Sequence, residues 1–221
     1  PDSHRPTLFD FVAYNTLRFY SSGAQAGAAA QDAYVLQASS PVLGPPKDFL
    51  AWKLDASDTD SLTIKAIRLY QKLLAFHQNQ QNDVALAEAD LSRLEFGYNQ
   101  SFGEEKNARY KAALAGYVRH WEDNPISARA MAAHAQVLMN EQEPLEAHKI
   151  AQRGYNRLPE SVGGKLCFNL MQQIEAKALN VSTERVWSNP WPTIQVSYRN
   201  ITRVHFRAVR YDWERLITRA N

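Results

Sequence analysis

The chain has 221 residues, of which 25 are Lys or Arg and 23 are Asp or Glu, so its formal net charge is +2 at pH 7. This near balance gives no sign of a nucleic-acid-binding or membrane-surface protein, and no apolar run approaches the roughly 20 residues that span a bilayer. The single cysteine excludes an internal disulfide framework.

The N-terminal region, residues 1–57, is predicted to hold one helix and a long connection. Five apolar or aromatic residues recur on one helical stripe: Phe9, Val12, Ala13, Leu17 and Tyr20. This spacing predicts a helix that ends near Ser21. The next segment is small and polar and ends in Gly-Pro-Pro. It predicts an excursion over the surface or a flexible crossing, within which the sequence KDFLAWKL forms a short helix.

A second region, residues 58–180, has a nearly continuous helical period. Asp60 or Ser61 is suited to cap its first helix, and Asp83 is suited to cap the next. The last long helix is predicted over about 164–179. Short helices with short connections indicate antiparallel neighbours.

The spacing of two prolines indicates how these helices are arranged. Pro125 and Pro159 lie 34 residues apart, and 34 residues is the period of tetratricopeptide helical hairpins. The predicted fold class is therefore mainly α, with a tetratricopeptide-like α-solenoid of antiparallel helical hairpins followed by a short β-hairpin.

The third region, residues 181–221, is predicted to contain a linker and this β-hairpin. Apolar and polar residues alternate over 194–198 and over 202–208, on either side of a turn at Arg199-Asn200, where Asn tolerates positive φ. A two-stranded ribbon with one apolar face is marginally stable in water. The hairpin is therefore expected to open a β-sandwich domain that continues beyond this chain, which itself begins without an initiator Met or a signal peptide and is expected to be a processed or excised piece.

Four residues in this third region are candidate contacts with a partner or with the domain junction: Trp187, Trp191, Arg203 and Arg207. Exposed indoles can stack on sugars or anchor a partner, whereas the neighbouring prolines favour a junction that the two tryptophans fill. The two arginines, with His205 between them, are expected on a solvated strand face rather than on nucleic acid.

No catalytic, cofactor or metal site is predicted, and we expect that the protein is not an enzyme. The six histidines lack companions at metal-ligand spacing. Cys167 has no identifiable base and is interpreted as a buried structural cysteine. The sequence Gly163-Gly164-Lys165 lacks the rest of a phosphate-binding loop and is interpreted as a turn between helices.

Three stretches carry a family resemblance: PTLFDFVAYNTLRFY, SLTIKAIRLYQKLLAFH and PTIQVSYRNITRVHFRAVRYDW. They resemble the N-terminal helical region and the first macroglobulin-type β domain of bacterial alpha-2-macroglobulin-like proteins. The resemblance implies an extracytoplasmic, protease-trapping parent, in which this chain is a non-catalytic scaffold or docking region. The partner that the resemblance implies is the remainder of the parent chain. Any contact of this chain with proteases or with a membrane would be made through that remainder. Cys167 does not stand in the family's Cys-x-Glu-Gln thioester motif.

Two other functions remain open at this stage. One is an independent tetratricopeptide-like module that holds a peptide or protein in its groove. The other is a surface glycan-binding helical protein, for which a Trp191→Ala change is expected to abolish retention on a polysaccharide matrix. The parent-protein hypothesis instead expects a gene that continues for many hundreds of codons and begins with an export signal.

Overall fold

A computed structural model describes four stretches of the chain: residues 3–22, 34–54, 61–184 and 193–207. These residues are mainly helical and end in a short two-stranded antiparallel hairpin, which confirms the coarse fold prediction. The chain divides into two compact units, the helical unit Pro1–Ile174 and the ribbon unit Glu175–Asn221.

The described residues form eight α-helices and one 3-10 turn, Pro41–Leu43. The helices are α1 Leu8–Ser21, α2 Pro46–Ala51, α3 Leu62–Asn79, α4 Asp83–Gln100, α5 Lys106–His120, α6 Ser127–Asn140, α7 Pro144–Arg157 and α8 Val162–Glu175. From α3 to α7 each helix packs against the next in chain order, and α1 packs against α3. The core of the helical unit lies between these neighbours.

The first helix is fixed at its start by a capping box. The Thr7 hydroxyl accepts the Asp10 backbone N–H at 3.1 Å, and the Asp10 carboxylate accepts the Thr7 N–H at 2.9 Å. The other carboxylate oxygen of Asp10 lies 2.6 Å from Nε2 of His77 on α3, and both side chains are buried. This contact ties the first turn of α1 to α3 and so sets the rotation of α1 about its own axis.

That rotation decides which residues of α1 enter the core. Ala13 and Leu17 are buried as predicted, and the helix ends at Ser21 as predicted. Val12, which the sequence analysis placed on the same inward stripe, is exposed. The buried arc of α1 is narrow and is centred on Asp10, Ala13 and Leu17. Val12 lies outside that arc, although it follows Phe9 at helical spacing.

The described part of the long connection, residues 34–54, packs into the core instead of passing over the surface. Leu36, Val42 and Phe49 are buried, and the predicted short helix is α2. The segment is joined to Phe102, which follows α4: the N–H of Ala38 donates to the carbonyl oxygen of Phe102 at 2.8 Å, and the N–H of Phe102 donates to the carbonyl oxygen of Leu36 at 2.9 Å. The surface excursion expected for this segment is therefore wrong for the residues that the structure describes.

A buried arginine holds this crossing segment in place. Nη1 of Arg93 on α4 donates to the carbonyl oxygens of Val42 and Gly44, at 2.9 and 2.8 Å. Its Nε donates to Asp90, one turn earlier on α4, at 3.0 Å. The planar guanidinium thus satisfies one carboxylate and two carbonyl groups that would otherwise be buried without partners.

The predicted helix limits are right in part. Ser61 caps α3 by accepting the backbone N–H of Ile64, whereas Asn82 rather than Asp83 caps α4. The last helix ends at Glu175, short of the predicted limit near Leu179. The reason is that the following residues alternate between polar and apolar and pair as a strand.

Two glycines predicted to form a turn lie inside the first turn of α8. A Cβ on Gly163 would lie 2.1 Å from the backbone N of Arg129 and 2.4 Å from the carbonyl carbon of Ala128 on α6. Only a residue without a side chain permits this approach. Gly163 therefore allows the backbones of α6 and α8 to come into direct contact.

The ribbon unit contains strands β1 Ala178–Thr183 and β2 Ile194–Arg199, which pair antiparallel. A C-terminal hairpin was predicted, but its pairing was wrong: the partner of β2 precedes it, and the described residues 201–207 are not in a strand. Asn200 has the expected positive φ, 54°, yet it ends β2 instead of centring the hairpin turn. Both candidate partners alternate with period two, so alternation alone did not identify the pair.

Candidate functional site

The two faces of the ribbon differ in polarity. Paired residues of antiparallel strands lie on the same face, and the register places three mostly apolar pairs on one face: Leu179 with Tyr198, Val181 with Val196, and Thr183 with Ile194. The opposite face carries the pairs Ala178 with Arg199, Asn180 with Ser197, and Ser182 with Gln195. We call the first set the apolar ribbon face.

Most of the apolar ribbon face is open to solvent. The exposed fractions of Leu179, Val181, Ile194 and Tyr198 lie between 46% and 64%. Within the part of the chain that the structure describes, β1 and β2 pair only with each other, so each strand also presents one unpaired edge. An exposed apolar face with free edges is suited to packing against further strands.

The four site residues predicted from sequence are not assembled by the described structure. Trp187 and Trp191 lie outside the described residues. Arg203 and Arg207 are exposed and lie beyond β2, so the predicted strand face that would align them is not formed. Neither arginine forms an ion pair with a described acidic residue.

A cluster of four charged side chains in the helical unit was missed by the sequence analysis. Glu88 on α4 accepts a hydrogen bond from Arg5 at 2.6 Å and another from Arg129 on α6 at 2.9 Å. Arg129 also lies 3.1 Å from Glu95, two turns along α4. We call these four residues the charged cluster. The one signal in the sequence is the seven-residue spacing of Glu88 and Glu95, which places two acids on one face of α4.

Arg129 separates two open cavities on the surface of the helical unit. One has a volume of about 380 Å³ and is lined in part by Glu95, Gln136 and Asn169. The other has a volume of about 450 Å³, and Arg5 and Glu88 are part of its wall. Members of the charged cluster therefore line both cavities.

The charges of this cluster are strongly coupled. Burial raises the pKa of Glu95, and the attraction of Arg129 offsets only part of that rise. Burial acts to lower the pKa of Arg129, but the attraction of Glu95 and Glu88 is larger, so its pKa rises. Two acids facing two arginines leave little net charge for a ligand ion.

The described residues offer no assembled site for a metal or a reactive thiol. No group of three or more His, Cys, Asp or Glu side chains among them is placed to hold a metal ion. Burial raises the pKa of Cys167 to about 11, and its Sγ lies 3.5 Å from the carbonyl oxygen of Ala128. A thiol in that setting is protonated at neutral pH and acts as a packing residue.

None of the described helices is long and apolar enough to cross a bilayer. No family model, no curated protein and no solved structure matches this chain.

Proposed function

We propose that this chain is a non-catalytic scaffold and docking region of a larger bacterial alpha-2-macroglobulin-like protein that traps proteases outside the cytoplasm. The observation that carries the proposal is the exposed apolar ribbon face, because a ribbon of this kind needs further strands to cover it. In this proposal the strands come from the β-sandwich domain that β2 helps to open, and the remainder of the parent chain is the partner.

The energetics of burial support such docking. Fully burying a Val, Leu or Ile side chain contributes about 1.5–3 kcal/mol. The four large side chains of the apolar ribbon face are about half exposed, so covering them would add about 3–6 kcal/mol in total. That amount is comparable to the stability of many small domains. Association of the ribbon with further strands is therefore favourable.

The helical unit has the role of the scaffold in this proposal, as a tetratricopeptide-like stack. The 34-residue spacing of Pro125 and Pro159 supports this finer assignment, as does the packing of α5, α6 and α7 in chain order. Small residues, Ala147 and Ala151, are fully buried on α7 where it meets its neighbours. The family assignment itself rests on the sequence resemblance described above.

Hydrogen exchange provides the test. Backbone amides of β1 and β2 are compared between the 221-residue protein and a longer protein that includes the sequence encoded after Asn221. We expect ribbon amides to exchange at least about 100-fold more slowly in the longer protein, because docking against further strands closes both edges. Amides of α4 are the internal control and should exchange equally in both proteins.

Two outcomes would contradict this function. Ribbon amides that exchange at the same rate in both proteins would show that no following strand docks on them. A gene that ends at Asn221 would remove the parent protein from consideration.

The charged cluster favours a second candidate, an independent module that binds peptides in a helical groove. Selection from a random-peptide phage library on the intact chain tests this directly. Under this hypothesis, selected peptides lose binding in an Arg129→Ala variant, which removes the wall between the two cavities. An Arg153→Ala variant is the control, because Arg153 is an exposed arginine that lines neither cavity.

A further inference from the structure

Helix α1 carries a second apolar stripe on the side that faces away from the core. Leu8, Phe11 and Val12 are exposed by 77%, 66% and 53%, and Phe19 lies on the same side of the helix. Positions 8, 11, 12 and 19 follow the i, i+3, i+4, i+11 pattern of one helical face. We call this set the outer stripe. The polar Asn15 lies on the same side, between Val12 and Phe19. Single exposed apolar residues are ordinary, but the neighbouring Leu8, Phe11 and Val12 form a patch of the kind that marks an interaction surface.

The buried contact between Asp10 and His77 fixes the orientation of the outer stripe. Because Asp10 is held at 2.6 Å by His77, α1 cannot rotate to bring the outer stripe into the core. The core side of the helix is already filled by Phe9, Ala13 and Leu17, with Phe9 packed 4.9 Å from Phe76 of α3. The outer stripe is therefore presented by a rigid helix, which lowers the entropy cost of binding.

A shallow groove runs beside the outer stripe, between α1 and α3. Its volume is about 300 Å³, and Val12 and Thr16 form part of its α1 wall. Its α3 wall carries three cations, Lys65, Arg68 and Lys72, and the described residues that line the groove include no acid. Neither Arg68 nor Lys72 forms an ion pair with any described residue.

The opposite side of the outer stripe is also cationic. Arg18 is exposed and lies two turns after Phe11, on the border of the stripe. The only acidic residue of α1, Asp10, is buried. The outer stripe thus lies between positive charges on both sides, with no negative charge on the exposed surface of α1.

We propose that the outer stripe and the groove beside it bind an acidic amphipathic helix. The apolar side of that helix would cover Leu8, Phe11 and Val12, and its carboxylates would pair with Arg18 on one side and with Arg68 and Lys72 on the other. The concave groove fits a helix better than a flat bilayer. A second copy of this face would bring like charges together. This inference concerns the helical unit alone and does not depend on the proposed function.

The test uses two stapled helical peptides of 14 residues, the length of α1, with the same leucine stripe. One carries glutamates on its flanks and the other carries lysines at the same positions. Binding to the 221-residue protein is measured by fluorescence anisotropy. We expect the acidic peptide to bind at least about tenfold more tightly than the basic peptide, and we expect its affinity to fall as salt rises.

Variants locate the site. Phe11→Ala is expected to weaken the acidic peptide at least about tenfold, and Arg68→Gln combined with Lys72→Gln at least about threefold. Leu145→Ala is the apolar control, because Leu145 is as exposed as Leu8, at 77%, but lies on α7. Arg119→Gln is the matched charge control on α5. Both controls should leave the affinity within a factor of about two, and thermal unfolding should confirm that every variant is folded.

Several results would overturn the proposal. The acidic peptide could fail to bind, the two peptides could bind equally, or Phe11→Ala could leave the affinity for the acidic peptide unchanged. Binding to phosphatidylglycerol vesicles that Phe11→Ala abolishes, and with which the acidic peptide does not compete, would identify a membrane surface instead. A dimer in sedimentation analysis that Leu8→Ser dissociates would identify a second copy of the chain as the occupant.

Discussion

The helical unit and the ribbon unit place their apolar residues in opposite ways. In the helical unit, large side chains such as Leu91 and Ile67 are completely buried between neighbouring helices. In the ribbon, the equivalent side chains lie on one face that remains about half exposed. Both patterns follow from the period of the backbone, but only the helices have enough neighbours within the described residues to close a core.

Polar groups differ between the two units in the same way. The helical unit buries the carboxylate of Asp10 against His77 and that of Asp90 against Arg93, so each of these two carboxylates has a hydrogen-bond partner. The polar face of the ribbon carries serine, asparagine and glutamine side chains that remain in contact with solvent. A unit that buries paired charges loses stability sharply when one partner is removed, whereas an exposed ribbon does not.

The largest expected effect comes from breaking one of these buried pairs. Asp10→Ala removes both the capping box of α1 and the partner of His77, and it should lower the free energy of unfolding of the helical unit by about 3–5 kcal/mol. Urea unfolding followed by far-UV circular dichroism measures the change. Asp123→Ala is the control, since the side chain of Asp123 is fully exposed and, among the described residues, its ion-pair partner is Arg157. A similar stability for both variants would contradict the role given to Asp10.

A matched pair of leucines compares the two units directly. Leu91→Ala in α4 removes a completely buried side chain and should cost about 2–5 kcal/mol. Leu179→Ala in β1 removes a half-exposed one and should change the unfolding free energy of the helical unit by less than about 0.5 kcal/mol. The same urea experiment serves for both variants. A large loss in Leu179→Ala would contradict this contrast between buried and half-exposed side chains.

A matched pair of glycines tests the close contact of α6 and α8. Gly163→Ala should destabilise the helical unit by about 3 kcal/mol, because its new methyl group meets the backbone of α6. Gly116→Ala, within α5, meets no atom within 4 Å and should stabilise by roughly 0.5–1 kcal/mol. Thermal unfolding of both variants gives the sign of each effect. Equal shifts in one direction would show that the two helices can separate at little cost.

The sequence predicted those elements that depend on local pattern. The spacing of apolar residues predicted the helices, and Ser61 predicted the start of α3. Both signals depend on residues within one or two helical turns. Strand β1 was missed because only Ala176 and Lys177 separate it from α8, and no Gly or Pro marks the change from helix to strand. The partner of β2 could not be identified from sequence, because β1 and residues 202–208 both alternate between polar and apolar.

The contacts between distant segments could not be predicted from a single sequence. The charged cluster joins residues as far apart as Arg5, Glu88 and Arg129, and nothing local marks them as neighbours. The outer stripe was hidden for a related reason. Helix α1 is apolar on two sides, and only the buried partner of Asp10 decides which side faces the core.

The hydrogen bonds of Arg93 have a consequence for how the helical unit opens. Its two carbonyl acceptors lie 51 and 49 residues earlier in the chain. If the segment around the Pro41–Leu43 turn detached alone, the buried guanidinium would lose both acceptors while α4 stayed intact, which is costly in a medium of low dielectric constant. Detachment of this segment and loosening of the middle of α4 should therefore occur together, as one cooperative step.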